Sequence, residues 1–526
     1  MTEFDKEKDF EDALVKMLTE KCGWSGGVLN HPTEADLLKN WSEILYRNNR
    51  SIDRLGDCPL TTGEMQQILE QIKTLRTPLR LNEFINGKTV SIKRDNPNDR
   101  EHFGKEVSLD IYDRMQIAGG KTCYQIARQP VLPTPHPLAS DRRGDVMLLI
   151  NGMPMIHVEL KRSGVAVGQA TNQIEKYMHE GALGGIFSLI QVFVGMEPNE
   201  TVYFANPGPD GKFDRDYFFH WTDFNNVRIN DWAQIAERLL SIPMAHQLIG
   251  YYSVADKTDG ILKVLRPYQF YAASAIFNKV RKNDEWEGGK ARLGGYIWHT
   301  TGSGKTLTCF KSAEMIASTR SADKVVFLLD RKELGTQSIR DYRGFAGLIA
   351  VQDTEDTQVL AAKLKSENDD DALIVTSIQK MSRIKDEAGN AFAAELKKMH
   401  EKRIVFVVDE AHRDVNGEML LTVKNTFPEA MFFGFTGTPK LRDGNQKDPT
   451  TATVFGDELH RYTIADGITD HNVLGFDPCM GLTAKDADVR RAVALDKVHA
   501  TTEQEAIDDP LKRDVFLHWM NKAEVS

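Results

Sequence analysis

The chain has 526 residues, 41% hydrophobic and 27% charged, with a formal net charge of −10 and a pI of about 5.8. That length allows two to four domains, each with its own core. The charge excludes a protein that merely coats nucleic acid, so any DNA contact must use local basic surfaces.

Five cysteines (Cys22, Cys58, Cys123, Cys309, Cys479) lie far apart with no C-x-x-C pair, which suggests neither a zinc site nor a disulfide framework. The opening MTEFDKEKDFED has no apolar signal region. Runs such as VVFLL and IVFVV are buried-strand length, too short for a membrane span. A cytoplasmic protein with no membrane partner is expected.

From Asp9 to Trp24, Phe10, Leu14, Met17 and Leu18 recur at helical spacing and predict an amphipathic opening helix. Residues 25–100 read as polar and helix-rich, without a functional signal. A strand-like YQIA (Tyr124 to Ala127) precedes PVLPTPHP, whose four prolines enforce an extended connection. The stretch RRGDVMLLINGMPMIHVELKR, Arg142 to Arg162, then predicts a hairpin about Asn151 and Gly152.

Glu159 and Lys161 are two apart on a strand and point to one face. A four-residue loop from Asn151 to Pro154 sets Asp145 opposite residue 160, whereas a two-residue Asn-Gly turn sets it opposite residue 158. In either register Asp145 lies within a residue of Glu159, and three polar groups converge at the hairpin's open end. Two carboxylates so close are costly unless a cation sits between them, and such oxygen ligands suit Mg²⁺. Asp145 and Glu159 are therefore candidate metal ligands, with Lys161 to orient or activate a water attacking a phosphodiester. Taken alone, the triplet is short and common, and a plain Glu159–Lys161 salt bridge is the better reading.

A helix is predicted from about Gly168 to His179, and its QIEKY places Gln173 and Tyr177 at i and i+4 on one face. The segments IFSLIQVFV and TVYFA read as strands, the second leading through NPGPDGKF into DYFFHW as a hairpin. After Leu240 the texture changes. Short apolar strands alternate with helical segments (GGYIWH, KVVFLLD, ALIVTS, RIVFVVDE, MFFGFTG), which predicts a parallel sheet covered by helices on both faces.

HTTGSGKT, His299 to Thr306, lies between a strand and a helix, where a phosphate-binding loop must sit. Thr301, Gly302, Ser303, Gly304, Lys305 and Thr306 are the candidate ATP contacts. Lys305 would reach the terminal phosphates and the Thr306 hydroxyl would bind Mg²⁺. His299 stands where the general pattern asks for Gly. Downstream, VFVVDEAH ends a buried strand at Asp409 and Glu410, which suits one carboxylate for Mg²⁺ and a second to orient the attacking water, with His412 beside them. An acidic pair after a strand is by itself an ordinary solvated strand end; paired with GSGKT it marks a nucleotide triphosphatase.

The ordered set RPYQ, LLDRKELGTQS, VTSIQKMS, DEAH and GFTGTP resembles superfamily 2 helicases and translocases. The resemblance implies that Gln269 reads adenine and that segments around Arg331 and Ser377 to Gln379 touch the nucleic-acid backbone. It also implies that Thr436, Gly437 and Thr438 couple hydrolysis to strand movement. In that family a second lobe supplies an arginine to the transition state; no complete second sheet fits after Gly467, so the chain is expected to be the N-terminal portion of a longer protein.

Asp145, Glu159 and Lys161 resemble the PD-(D/E)xK nucleases, although Gly144 stands where that name expects proline. Gln173 and Tyr177 resemble the Q-x-x-x-Y element of nucleases fused to helicases, where it supports the site and contacts DNA. The expected architecture is α/β: a PD-(D/E)xK endonuclease domain over 1–250, a parallel-sheet superfamily 2 helicase lobe over 260–466, and an incomplete start of the second lobe over 467–526.

With LNHPTEADLLKNW, NGKTVSIKRDN, FANPGPDGKFDRDYFFHW and TTATVFGDELHRY, the whole resembles the motor subunit of type I restriction–modification enzymes, IC-like. That implies a Mg²⁺-dependent endonuclease and ATPase that cuts double-stranded DNA after ATP-driven translocation. It would join modification and specificity subunits, which bind S-adenosylmethionine, and this chain alone is expected to lack full motor activity. The competing readings are a stand-alone helicase-nuclease of DNA repair and a non-nucleolytic motor with an N-terminal binding module.

Overall fold

The structure, a computed structural model, describes residues 3–117, 119–135, 140–282, 286, 294–329, 357–387, 399, 402–411, 418–441, 449–472 and 486–520. The chain divides into two compact units, 1–473 and 474–526.

Among the described residues the first unit contains two six-stranded sheets. The N-terminal sheet is built from β1 (Val28–Asn30), β2 (Tyr124–Arg128), β3 (Val146–Ile150), β4 (Met153–Leu160), β5 (Val192–Glu197) and β6 (Glu200–Ala205), side by side in chain order. β1 with β2 and β4 with β5 pair parallel; the other neighbours are antiparallel. Every residue of β3, β4 and β5 is buried, which explains their unbroken apolar runs: both faces of the sheet are covered. Each fully buried Leu, Ile or Val there contributes roughly 1.5–3 kcal/mol.

Helices α1 (Glu7–Glu20), α2 (Glu34–Asn48) and α3 (Gly168–His179) belong to this half. In α2, Leu37, Trp41, Ile44 and Leu45 form one buried stripe at helical spacing. A capping box between Thr33 and Asp36 fixes its start, and such a cap contributes about 1 kcal/mol. Helix α3 packs on β4 and β5, over the span its sequence predicts.

Two expectations need correction. Gly185–Leu189 is a 3-10 turn and β5 begins only at Val192, so IFSLIQVFV is not one strand. Gly185 takes φ +57° and Glu34 of α2 accepts the Ile186 amide at 3.1 Å, which curls the segment. Nor does TVYFA return as a regular hairpin. Prolines at 207 and 209 interrupt pairing, and a single antiparallel bridge joins Tyr203 to Phe219.

The second sheet contains β7 (Gly295–His299), β8 (Lys324–Leu329), β9 (Leu373–Ser377), β10 (Ile404–Val408), β11 (Met431–Thr436) and β12 (Glu458–Tyr462). They lie in the order β9-β8-β10-β11-β7-β12 with every pairing parallel. Separate apolar clusters cover its two faces, so the predicted parallel sheet is present. Its helices include α4 (Pro267–Arg281) and α5 (Lys305–Ser318). In the second unit the described residues form three helices, Asp486–Lys497, Glu503–Asp508 and Pro510–Met520, around Ala494, Val498, Ala506 and Phe516. No helix among the described residues is long and apolar enough to cross a membrane.

Candidate functional sites

The β3–β4 hairpin turns at Asn151 and Gly152, both at positive φ (52° and 85°), which suits a two-residue turn of the primed kind. A Cβ on Gly152 would meet the Trp41 Cα at 2.8 Å, so α2 closes over the turn. Neither predicted register holds along the whole hairpin. Ile150 faces Met153 and Leu149 faces Pro154, but Leu148 faces Ile156, leaving Met155 as an extra residue in a bulge. Beyond it Val146 faces Val158, and one step further Asp145 comes opposite Glu159.

The sequence-predicted triplet does converge. The Leu160 amide donates to Asp145 Oδ2 at 2.7 Å. Lys161 Nζ stands 4.0 Å from Glu159 and 3.6 Å from Glu7 of α1, and donates to the Leu160 carbonyl at 2.7 Å. From α3, the Tyr177 hydroxyl donates to the Arg143 carbonyl at 2.9 Å with Glu159 Oε1 3.5 Å away. Gln173 donates its amide to that hydroxyl.

The sequence reasoning missed His157. Its Nε2 is 3.0 Å from Glu159 Oε2, and the ring is fully buried. It lies two residues before Glu159, so strand alternation alone would have put it on the same face. Glu7 was missed for a plainer reason: nothing in the sequence says which turn of α1 lies over Lys161.

Burial sets the electrostatics. Desolvation, then the charge of Glu159, pushes the Asp145 carboxyl up to about 8. Desolvation likewise carries Glu159 up to about 8, against the opposing pull of Lys161. Burial drives His157 down to about 4, so its contact with Glu159 is a hydrogen bond of a neutral ring and not an ion pair. Two facing carboxylates held this far up, Glu159 buried and Asp145 half-buried, are a donor set that an oxygen-seeking divalent cation relieves. Among the described residues no cluster of three or more His, Cys, Asp or Glu side chains is placed to hold a metal. A cation here would therefore take these two carboxylates and complete its shell with water, as Mg²⁺ commonly does.

A second site lies between β7 and α5. Gly302 and Gly304 sit at φ +83° and +73° and shape the loop that enters the helix at Lys305. Lys305 Nζ is 3.8 Å from Glu410 and 3.5 Å from the Thr300 carbonyl, and the Thr306 hydroxyl is 3.4 Å from Asp409 Oδ2. The structure thus brings GSGKT together with Asp409 and Glu410. His412 and the Arg331 segment lie outside the described residues. Ser377 is buried, and its Oγ accepts the Lys380 amide.

Gln269 does two jobs at once. Its Oε1 accepts the Arg266 amide at 3.0 Å, capping α4, and its Nε2 donates to the Ser303 carbonyl at 3.2 Å. The side chain forms one wall of a cleft of about 530 Å³ that Phe213, Phe218, Phe219 and Gly302 also line. Thr436 ends β11, and Gly437 and Thr438 follow it against the same loop: Trp298 Nε1 donates to the Gly437 carbonyl at 3.1 Å. A Cβ on Gly437 would lie 3.3 Å from Thr301 Oγ1.

His299, the departure from the phosphate-loop pattern, has a structural reason. Its Nε2 is 3.0 Å from His460 Nδ1, and His460 Nε2 is 3.1 Å from the Phe224 carbonyl. A carbonyl only accepts, so His460 carries its proton on Nε2, and His299 donates to His460 Nδ1. This relay joins the start of the phosphate loop to β12 and to the 222–226 segment of the N-terminal half. Asn226 strengthens the junction by donating to the Arg461 carbonyl at 2.8 Å.

Residues 5–212 match the model of the type I restriction enzyme R protein N terminus, and residues 268–509 match that of the SWI2/SNF2 ATPase. The endonuclease subunit of a type I restriction enzyme of Staphylococcus aureus is 37% identical over 478 residues, 90% of this chain and 47% of that subunit. A Mycoplasma pneumoniae protein described as the C-terminal part of such a subunit is 35% identical over 210 residues, 39% of this chain and 99% of that protein. A solved fragment described as an HsdR subunit from Vibrio vulnificus has 17% identity and a TM-score of 0.26, covering 74% of this chain and 64% of its own. The chain spans about half the length of the first curated relatives it matches, 47% for the Staphylococcus aureus subunit.

Proposed function

The chain belongs to the family of type I restriction enzyme endonuclease subunits, and on that premise we propose that it carries the nuclease and the ATP-binding half of the motor of such an enzyme. The observation that carries the reading is the convergence of Asp145, Glu159 and Lys161 beside Tyr177 at one end of a buried hairpin. In this reading residues 1–250 are a PD-(D/E)xK endonuclease domain, 260–466 the first helicase-like lobe, and 467–526 the start of the second.

Asp145 and Glu159 would hold Mg²⁺, which when bound supplies charge neutralisation and an activated water at the scissile phosphodiester. Lys161 holds that water in line and offers a proton donor beside the departing charge. Gln173 and Tyr177 fix the Glu159 side of the site and face the DNA. In the motor, the loop from Thr301 to Thr306 cradles the phosphates, with the Lys305 ammonium on the terminal ones. Thr306 and Asp409 would hold the nucleotide's Mg²⁺, Glu410 orients the attacking water, and Gln269 reads the base in its aromatic cleft. Thr436, Gly437 and Thr438, packed against the loop, transmit hydrolysis to movement along double-stranded DNA. The partners are modification and specificity subunits, which carry S-adenosylmethionine, and the assembly works in the cytoplasm.

The test uses the full-length subunit assembled with those partners on a circular duplex containing the recognition site. Asp145→Ala and Lys161→Ala are expected to abolish cleavage while ATP hydrolysis continues; Lys305→Ala is expected to abolish both. Unchanged cleavage by either nuclease variant refutes the assignment.

A further inference from the structure

We infer that His157 is a positioning residue for the ion-binding carboxylate, holding Glu159 in one orientation through its Nε2–H. In doing so it fills the space that a side chain at residue 144 would need. The inference rests on the nuclease reading above, and its test separates the two.

His157 is a poor choice for packing alone. It is fully buried, its ring meets Tyr177 and Phe193 edge-on at centroid distances of 6.4 and 6.1 Å, and among the described residues its Nδ1 has no hydrogen-bond partner. Leu or Met would fill such a wall without a polar atom left bare, and a buried unsatisfied group costs roughly 1–3 kcal/mol. Among the described residues, the one hydrogen bond the ring makes goes to Glu159 Oε2, at 3.0 Å. An Nδ1 without a partner is cheaper as a bare lone pair than as an unmet donor, which puts the proton on Nε2, donating to the carboxylate. With Oε2 held, Oε1 is left toward Tyr177 and Lys161, 3.5 and 4.0 Å away. Outer partners that fix a ligand's orientation commonly govern metal affinity in this way.

Gly144 supplies the second observation. A Cβ there would come 2.7 Å from His157 Cε1, a separation real side chains do not adopt, and 3.4 Å from its Nδ1. Residue 144 is where the PD-(D/E)xK name places proline. A proline ring and this imidazole therefore exclude one another, and the chain has the imidazole. The glycine is the space His157 requires.

The experiment is Mn²⁺ titration calorimetry on the 526-residue chain at pH 8, with thermal melting on the same samples. His157→Leu keeps the volume and removes the donor; Mn²⁺ binding is expected to weaken roughly 10–100-fold. His157→Gln, whose amide Nε2 can reach the same oxygen, is expected to recover most of that loss. Gly144→Ala pushes the ring and is expected to weaken Mn²⁺ binding in the wild-type background but not in the His157→Leu background, which keeps the test open if one variant folds poorly. Equal weakening by Leu and Gln, or no weakening by Leu while Glu159→Gln abolishes binding, overturns the positioning role alone. If Glu159→Gln itself binds Mn²⁺ as wild type does, the nuclease reading fails first.

Discussion

Replacing Asp145 by Asn should stabilise the chain when no divalent ion is present, and increasingly so as the pH rises. Burial and the facing Glu159 carry the Asp145 carboxyl from 3.8 to about 8, so the folded chain holds a proton there that the unfolded chain releases. A group raised in this way contributes stability that is fully present below 3.8 and is lost as the pH climbs through 8. Each unit of that displacement is worth about 1.4 kcal/mol, which sets a ceiling of roughly 6 kcal/mol. Because Glu159 competes for the same proton, about 2–3 kcal/mol is the expected gain for the variant at pH 8. For a domain of this size that corresponds to a rise of roughly 4–10 °C in the unfolding midpoint. The assay is thermal unfolding followed by near-ultraviolet circular dichroism in chelator, at pH 5 and pH 8, for wild type and Asp145→Asn. The variant's advantage should be small at pH 5 and large at pH 8, and Mg²⁺ should restore the wild type. An advantage that does not grow with pH, or a variant less stable than wild type at pH 8, refutes the argument.

Three further outcomes follow from named contacts. Lys305→Ala should weaken binding of a fluorescent ATP analogue by more than about tenfold, because the loop loses its one positioned point charge, while far-ultraviolet circular dichroism stays unchanged. His460→Leu removes the donor to the Phe224 carbonyl and the acceptor for His299. The buried His299 ring left without its acceptor costs roughly 1–3 kcal/mol, so calorimetry should show a lower melting temperature together with weaker nucleotide binding. Burial, against the weaker pull of the Asp113 carbonyl, holds the His246 ring down at about 4. Its stabilising share is present above the unfolded value of 6.5 and lost as the pH falls toward 4, so the advantage of wild type over His246→Gln in denaturant midpoint should shrink across that window.

The parallel sheet was legible because each of its strands is a short apolar run bounded by polar loops, and Gly168–His179 because its apolar positions keep helical spacing. The residues that converge at the two candidate sites were legible wherever the proposed chemistry demands a residue type: Asp145, Glu159, Lys161, GSGKT and Asp409. What stayed hidden depends on tertiary packing. Met155 shifts the hairpin register by one, a bulge that no pattern of alternating apolar residues announces in a strand buried on both faces. The 3-10 turn at Gly185 depends on Glu34, 151 positions away in the sequence. His157 and Gly144 make sense only as a pair, since the ring occupies the glycine's missing side chain. His299 looked like a flaw in the phosphate-loop motif until β12 brought His460 beside it.

The most direct test of the central claim is a crystal structure of the 526-residue chain grown or soaked in Mn²⁺, read from its anomalous difference map. An ion bridging the carboxylates of Asp145 and Glu159 at about 2.1 Å, the separation typical of a small hard divalent cation, is the expected result. A map with no peak between them, at a concentration that saturates the calorimetric site, would contradict it.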